Sequence, residues 1–295
     1  MSRRVLVTGA SGFIGGHLCR HLLTAGWQVR AQGRRPQGPA DCDYRRCDLL
    51  STEVGELLRG VDAVVHLANA AHARQPDTTL LQRLNVDTTQ RLAQAAVPMG
   101  LTFVYLSTAK VLGESGHFDD TSPATPIDAY ARSKHAAEQM LAGLPKLAAV
   151  VLRPPLVYGP GVGANFARLA RLAASGWPLP LGALTARRSL IHVNDLCTAI
   201  TMLLTRPLPG HWLLSGPDAP TVPELLTALA QAQRRHCPLL PIPPKPLAII
   251  ARACGRHEDW RRIAEPFVLR ATALTAASGW QPHIRLAEGL EDMFR

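Results

Sequence analysis

The strongest constraint on this chain lies at its start. Residues 4–8 (Arg-Val-Leu-Val-Thr) are a short apolar run, followed at once by Gly9-Ala-Ser-Gly-Phe-Ile-Gly15. Apolar residues then recur at helical spacing through Ile14, Leu18, Leu22 and Ala25, until Gly26 stops the pattern and a second strand is predicted at 28–32. Glycines at this spacing are common by chance, but between a strand and a helix each has a physical task. Gly9 permits the tight turn. Gly12, with Ser11, Phe13 and Ile14 around it, lets backbone amides approach a pyrophosphate at the helix N-terminus, and Gly15 lets the helix pack on the strand. The stretch predicts a dinucleotide site at the carboxyl end of a buried parallel strand.

The end of the second strand bears on which dinucleotide is held. A carboxylate there suits the ribose hydroxyl of NAD. This chain reads Arg30-Ala-Gln-Gly-Arg34-Arg35, with no acid until Asp41. Guanidinium forks suit a 2′-phosphate, so NADP(H) is favoured, with NAD(H) possible and both arginines as plain solvated loop residues the bland alternative.

Further strands are predicted at 43–47, 63–67, 101–106 and 149–152, with helical patterns at 78–96 and 130–144. Asp48 and Leu49 close the third strand, where Asp48 either meets the adenine or caps a helix from Thr52. Leu67 and Ala68 close the fourth, with His72 beyond them as a candidate substrate contact. Asn85 in the following helix, Ser107 after the fifth strand and Pro154 after the sixth complete the predicted cofactor cradle. These positions gather at the carboxyl edge of the sheet, where ligands bind in such folds. Beyond residue 160 the strand–helix rhythm breaks down among prolines. A dinucleotide-binding domain over 1–160, with some later segments returning to it, and a mainly substrate-binding lobe over 161–295 are expected. Thr221-Val-Pro-Glu224 is a capping box that opens a helix.

Tyr130 and Lys134 stand one helical turn apart on one face. An ammonium beside a phenol favours the phenolate and pulls a pKa of about 10 towards the working range. Such a pair gives protons to, or takes them from, an alcohol or sugar oxygen. Alone it is an ordinary helix pair; beside a hydride carrier it is a candidate acid/base. Ser107 and Thr108 lie at a central strand end over the crevice, and either hydroxyl could bind a substrate carbonyl oxygen that Tyr130 protonates.

Net charge is +10 over 295 residues. The basic residues are dispersed and aromatics make up only 5%, so no nucleic-acid platform is formed; a positive field for an anionic ligand is the better reading. The six cysteines form no Cys-x-x-Cys pair and no metal-ligand cluster, which suits free thiols in a reducing cytoplasm. No stretch reaches the roughly 18 apolar residues of a membrane span, so no stable membrane insertion is expected. The apolar run 246–254, followed by basic residues from Arg256 to Arg262, reads first as a core helix and second as a membrane-surface helix.

Thr8-Gly-x-x-Gly-Phe-Ile-Gly15, Asp48-Leu49, His66-Leu67-Ala68, Ser107-Thr108 and Tyr130-x-x-x-Lys134 occur in one order. Together they resemble the extended short-chain dehydrogenase/reductases, the NAD-dependent epimerase/dehydratase family, over essentially the whole chain. The resemblance implies an α/β, Rossmann-like doubly wound parallel sheet with a smaller C-terminal α/β substrate lobe, a UDP-sugar substrate and a homodimer. It makes Tyr130 the catalytic acid/base, Lys134 its partner and a ribose ligand, Thr108 the third catalytic residue, and Asn165 and Arg188 ligands of the nucleotide-sugar diphosphate. Family dehydratases carry Asp-Glu after the catalytic Thr, where this chain has Ala109-Lys110, which argues against dehydration. The segments Pro154-Pro-Leu-Val-Tyr-Gly-Pro-Gly161 and Leu179-Pro-Leu-Gly182 look most like bacterial reductases of UDP-4-keto-6-deoxy-N-acetylhexosamines. An epimerase with tightly bound NAD is the alternative, and a non-catalytic cofactor-binding scaffold the third reading.

Overall fold

A sheet of seven parallel strands carries the molecule, in the order β10-β7-β5-β4-β1-β2-β3. The computed structural model describes residues 3–70 and 78–295, and residues 164 and 165 by their backbone alone. The strands are β1 (Arg4–Thr8), β2 (Gln28–Gly33), β3 (Asp43–Arg46), β4 (Ala63–His66), β5 (Thr102–Leu106), β6 (Gly116–Asp119), β7 (Ala148–Arg153), β8 (Leu156–Tyr158), β9 (Leu190–His192), β10 (Gly210–Leu213) and β11 (Phe267–Arg270). β1, β4 and β5 are continuous apolar runs because both of their faces are covered. Val5 and Val7 point to one face, where they pack with Leu18 and Leu22 of the Phe13–Thr24 helix and Ile200 and Leu203 of the Val193–Thr205 helix. Leu6, between them, points to the other, with Leu92 and Leu141 of the Thr88–Ala96 and Ala129–Ala142 helices.

Strand order reverses between β1 and β4, so a crevice opens above their carboxyl ends. The chain returns to this sheet late, through the Val193–Thr205 helix and β10. A separate apolar cluster around Phe166, Leu179, Leu184, Leu226, Leu229 and Leu290 forms the core of the smaller lobe. There the expected capping box is present: Thr221 Oγ1 accepts from Glu224 N at 3.3 Å and a Glu224 oxygen accepts from Thr221 N at 2.8 Å.

Three local expectations are corrected. The pattern read as one helix over 78–96 is α-helical at Thr78–Leu81 and Thr88–Ala96 but π-helical at Gln82–Asp87. Asp48 does not cap a helix from Thr52; it accepts from Leu50 N at 3.0 Å in its own turn, and Glu53 caps the Val54–Leu58 helix. The run read first as a core helix forms the Pro244–Ala253 helix, which buries no residue.

Candidate active site

The glycine turn is built by close contact. Gly9 has φ +68°, and a Cβ there would lie 2.8 Å from Ala68 N. A Cβ on Gly15 would lie 2.4 Å from Gly9 O and 2.6 Å from Ala10 Cα. These spacings impose the tight turn and the close helix packing that the sequence predicted. Gly12 begins the Phe13–Thr24 helix without a side-chain cap, so the first-turn amides have no internal acceptor there. That fits a pyrophosphate.

Two residues missed in sequence complete the cradle. Gln32 Oε1 accepts from Gly9 N at 3.2 Å while its amide donates to Cys47 O at 2.7 Å, tying the turn to β2 and β3. A Cβ on Gly33 would lie 2.7 Å from Ser11 Oγ and 2.8 Å from Tyr44 Oη, so a larger residue there would push these hydroxyls aside where β2 meets the turn. The available signal was a polar residue and a glycine ending an otherwise apolar strand. Arg34 and Arg35 follow, exposed, with no ion-pair partner among the described residues. Leu49 is buried and Asp48 exposed at the β3 exit.

The Ala129–Ala142 helix positions Tyr130 and Lys134. Asp128 caps it, accepting from Ala131 N at 2.6 Å. Lys110, which stands where the resemblance would place the dehydratases' Glu, forms an ion pair with Asp128 and another with Glu114 at 3.3 Å. It therefore braces the helix start. Thr108 begins the turn after β5; its Oγ1 accepts from Lys110 N at 3.3 Å, which leaves its own proton for another acceptor. Pro154 O accepts from Ala109 N at 2.8 Å and holds that turn from the β7 side. Ser107 N donates to Leu152 O at 2.8 Å, while its buried hydroxyl has no well-formed hydrogen bond yet stands near enough to Glu138 to help keep that carboxyl ionised.

Electrostatically the Tyr–Lys pair differs from the sequence reading. Burial, and then the Asp128 carboxylate, push the Tyr130 phenol up. Burial also lowers Lys134 to about 7, against the opposing pull of Glu138. Lys134 Nζ lies 4.1 Å from the centre of the Tyr105 ring. Desolvation thus outweighs the mutual attraction expected from the four-residue spacing. Glu138 is held in a bidentate ion pair by Arg153, at 2.5 and 3.0 Å.

Behind the pair runs a buried polar chain. Ala70 N donates to Asn85 Oδ1 at 2.9 Å, Asn85 Nδ2 donates to Ser133 Oγ at 2.9 Å, and Ser133 Oγ donates to Tyr130 O at 2.8 Å. Asn85 was expected in the cofactor cradle; both polar atoms of its amide have partners inside the protein, and it lies on the π-helical turn. Alongside, Thr89 Oγ1 donates to Asn85 O at 2.7 Å, so at 3.0 Å it must accept from His66 Nε2. His66 Nδ1 is then the acceptor for Thr8 Oγ1 at 2.6 Å. Burial lowers His66 to about 3, which keeps it neutral as this arrangement requires. Thr8 Oγ1 in turn accepts from Leu67 N and Ala68 N at 3.2 and 3.3 Å, locking the two strand exits that flank the crevice.

Arg188 lies just before β9 and forms a backbone bridge with Phe267 of β11. It donates to Glu265 O at 3.0 Å and stands 5.5 Å from the Phe267 ring centre. Burial and nearby Arg262 make its charge costly and lower its pKa, so an anionic ligand would relieve it. Asn165 lies in the Ala164–Ala173 helix with its side chain outside the description, and His72 lies outside the described residues. No cluster of metal-ligating side chains is found among the described residues.

A doubly wound sheet, a glycine-built turn at its switch point and a Tyr–Lys pair on the adjoining helix define a protein of the short-chain dehydrogenase/reductase type. Residues 5–214 match the model of the NAD dependent epimerase/dehydratase family, and the chain belongs to it. It is 30% identical to a UDP-glucose 4-epimerase of Vibrio cholerae, over 99% of this chain and 94% of that one. It is 29% identical to a ceramide reductase of Caulobacter vibrioides, over 98% and 90% of the two chains. Among solved structures it is similar to MoeE5 in complex with UDP-glucose and NAD, with a TM-score of 0.79, 28% identity and coverage of 98% and 97%.

Proposed function

We propose that this chain is an NAD(P)H-dependent reductase of the C4 ketone of a UDP-4-keto-6-deoxy-N-acetylhexosamine, acting in the cytoplasm as a homodimer and supplying a UDP-6-deoxy-sugar for surface polysaccharide. The observation that carries the reading is the β2 exit: two guanidinium groups without ion-pair partners among the described residues, and no carboxylate, beside the glycine turn. That arrangement suits the 2′-phosphate of NADPH, a cofactor exchanged at each turnover. The cofactor's part is to supply a hydride to the ketone carbon. Tyr130, kept a neutral phenol by burial, donates the proton to the C4 oxygen. Thr108 donates a hydrogen bond to the same oxygen, and Lys134 stabilises the phenolate left behind. Ser107 and Pro154 shape the wall of the cradle. Arg188, with Asn165, holds the UDP diphosphate, so remote binding energy places the reacting carbon. His72 is assigned to the sugar side.

The test is cofactor titration. NADPH should bind more tightly than NADH, and Arg34→Ala with Arg35→Ala should erase the difference. Equal affinity in the unaltered protein would contradict the assignment. A second reading, a 4-epimerase retaining NAD, is favoured by the full-length similarity to the Vibrio cholerae enzyme. It uses the same Tyr130, Lys134 and Thr108, with the proton taken out and returned.

A further inference from the structure

The Pro244–Ala253 helix presents an apolar face to solvent. Pro246, Ile249, Ile250 and Ala253 recur at helical spacing and are exposed, as is Ile242 just before the helix, whereas Leu247, Ala248 and Ala251 on the other side are half-buried against the protein. Ile249 is 71% exposed and Ile250 58%, values that a core-facing helix would not show. The following helix, His257–Ala264, buries no residue either.

Charge accompanies this face. No acidic residue occurs between Glu224 and Glu258, while Arg234, Arg235, Lys245, Arg252 and Arg256 lie in that interval. Lys245 and Arg252, two turns apart, line one edge of the apolar stripe. Neither has an ion-pair partner among the described residues, whereas Arg256, Arg261 and Arg262 of the neighbouring helix are paired with Asp259 and Glu265. A backbone bridge between Leu179 and Leu239 ties the segment of exposed Trp177 to the segment leading into this helix.

An apolar stripe edged by unpaired cations, with no acid in the interval, matches an anionic lipid surface: the side chains enter the headgroup boundary while the cations meet phosphates. Nucleic acid would meet the cations but leave the isoleucines in water. We infer that the Pro244–Ala253 helix docks this protein peripherally on an anionic bilayer. No helix among the described residues is long and apolar enough to cross one, so the contact is superficial. It lies on the lobe that holds Arg188, because Glu265, at the end of the next helix, accepts from that guanidinium.

The test is co-sedimentation of the full chain with vesicles of phosphatidylcholine alone and of phosphatidylcholine mixed with phosphatidylglycerol. Binding should require the anionic lipid and weaken as salt rises. Ile249→Asp with Ile250→Asp should lower partitioning by about tenfold per isoleucine. Lys245→Glu with Arg252→Glu should lower it by about tenfold or more. Both variants should keep the parent melting temperature and cofactor affinity, since the altered side chains are solvent-facing. No binding to anionic vesicles at low salt, or binding that survives the isoleucine changes, overturns the inference. So does an oligomer that the isoleucine changes dissociate when no vesicle binding is seen, because the face would then join two copies.

Discussion

Tyr130 is half-buried and Lys134 fully buried, and desolvation acts on them in opposite directions. Desolvation disfavours charge on either group, so the phenol keeps its proton and the amine is lowered to about 7. Tyr130→Phe removes the proton donor and little volume. Turnover should fall by orders of magnitude while cofactor affinity, measured by fluorescence titration, stays close to that of the parent. A near-normal rate would remove Tyr130 from the chemistry. Lys134 makes a prediction about stability. Its pKa is about 7 folded and 10.5 in its ordinary state. Between these values the unfolded chain holds a proton that the folded chain lacks, so this residue makes stability rise with pH through that window. Lys134→Met should therefore melt higher than the parent at neutral pH, and the gap should close as pH rises towards 10.5. A gap that is constant with pH would show that Lys134 is charged at no cost. The spacing of the pair was legible in the sequence. The sign of the effect was not, because it depends on desolvation by residues far away in the chain, such as Tyr105.

At the scale of elements, the glycine turn was legible because its requirement is purely one of backbone: no side chain fits at Gly9 or Gly15. The π-helical turn at Gln82–Asp87 was not. It carries the buried Asn85 amide, which bonds Ala70 N and Ser133 Oγ, partners distant in sequence. Asn85→Ala leaves the half-buried Ala70 amide and the buried Ser133 hydroxyl each short of a partner. It should destabilise the fold by about 2 kcal/mol in denaturant melts. Because Ser133 carries the chain on to the Tyr130 carbonyl, it should also lower kcat more than cofactor affinity. An unchanged midpoint and an unchanged kcat would show that the chain positions nothing. The Pro244–Ala253 helix shows the opposite limit. Composition marks an apolar helix but does not say whether a partner face exists within the chain, and among the described residues none covers Ile249 and Ile250.

The whole molecule places these elements at one edge. Seven parallel strands bring the ends of β1, β4, β5 and β7 beside one another, so residues up to about 145 positions apart line one crevice. The strand-and-helix alternation made that architecture readable, since continuous apolar strands separated by helices can be buried only as a parallel sheet. The second lobe was less legible because its core draws on Phe166, Leu226 and Leu290, which no local pattern connects. The chain belongs to the NAD dependent epimerase/dehydratase family, and on the proposed sugar-nucleotide substrate two proton itineraries are distinguishable, one-way or out and back. They are separated by supplying the purified protein with NADPH and UDP-4-keto-6-deoxy-N-acetylglucosamine and following nicotinamide absorbance against product formed. The account predicts one NADPH oxidised per ketone reduced, with no nucleotide retained by the protein beforehand. Protein that carries stoichiometric NAD, leaves added NADPH untouched and interconverts UDP-hexose C4 epimers would contradict it.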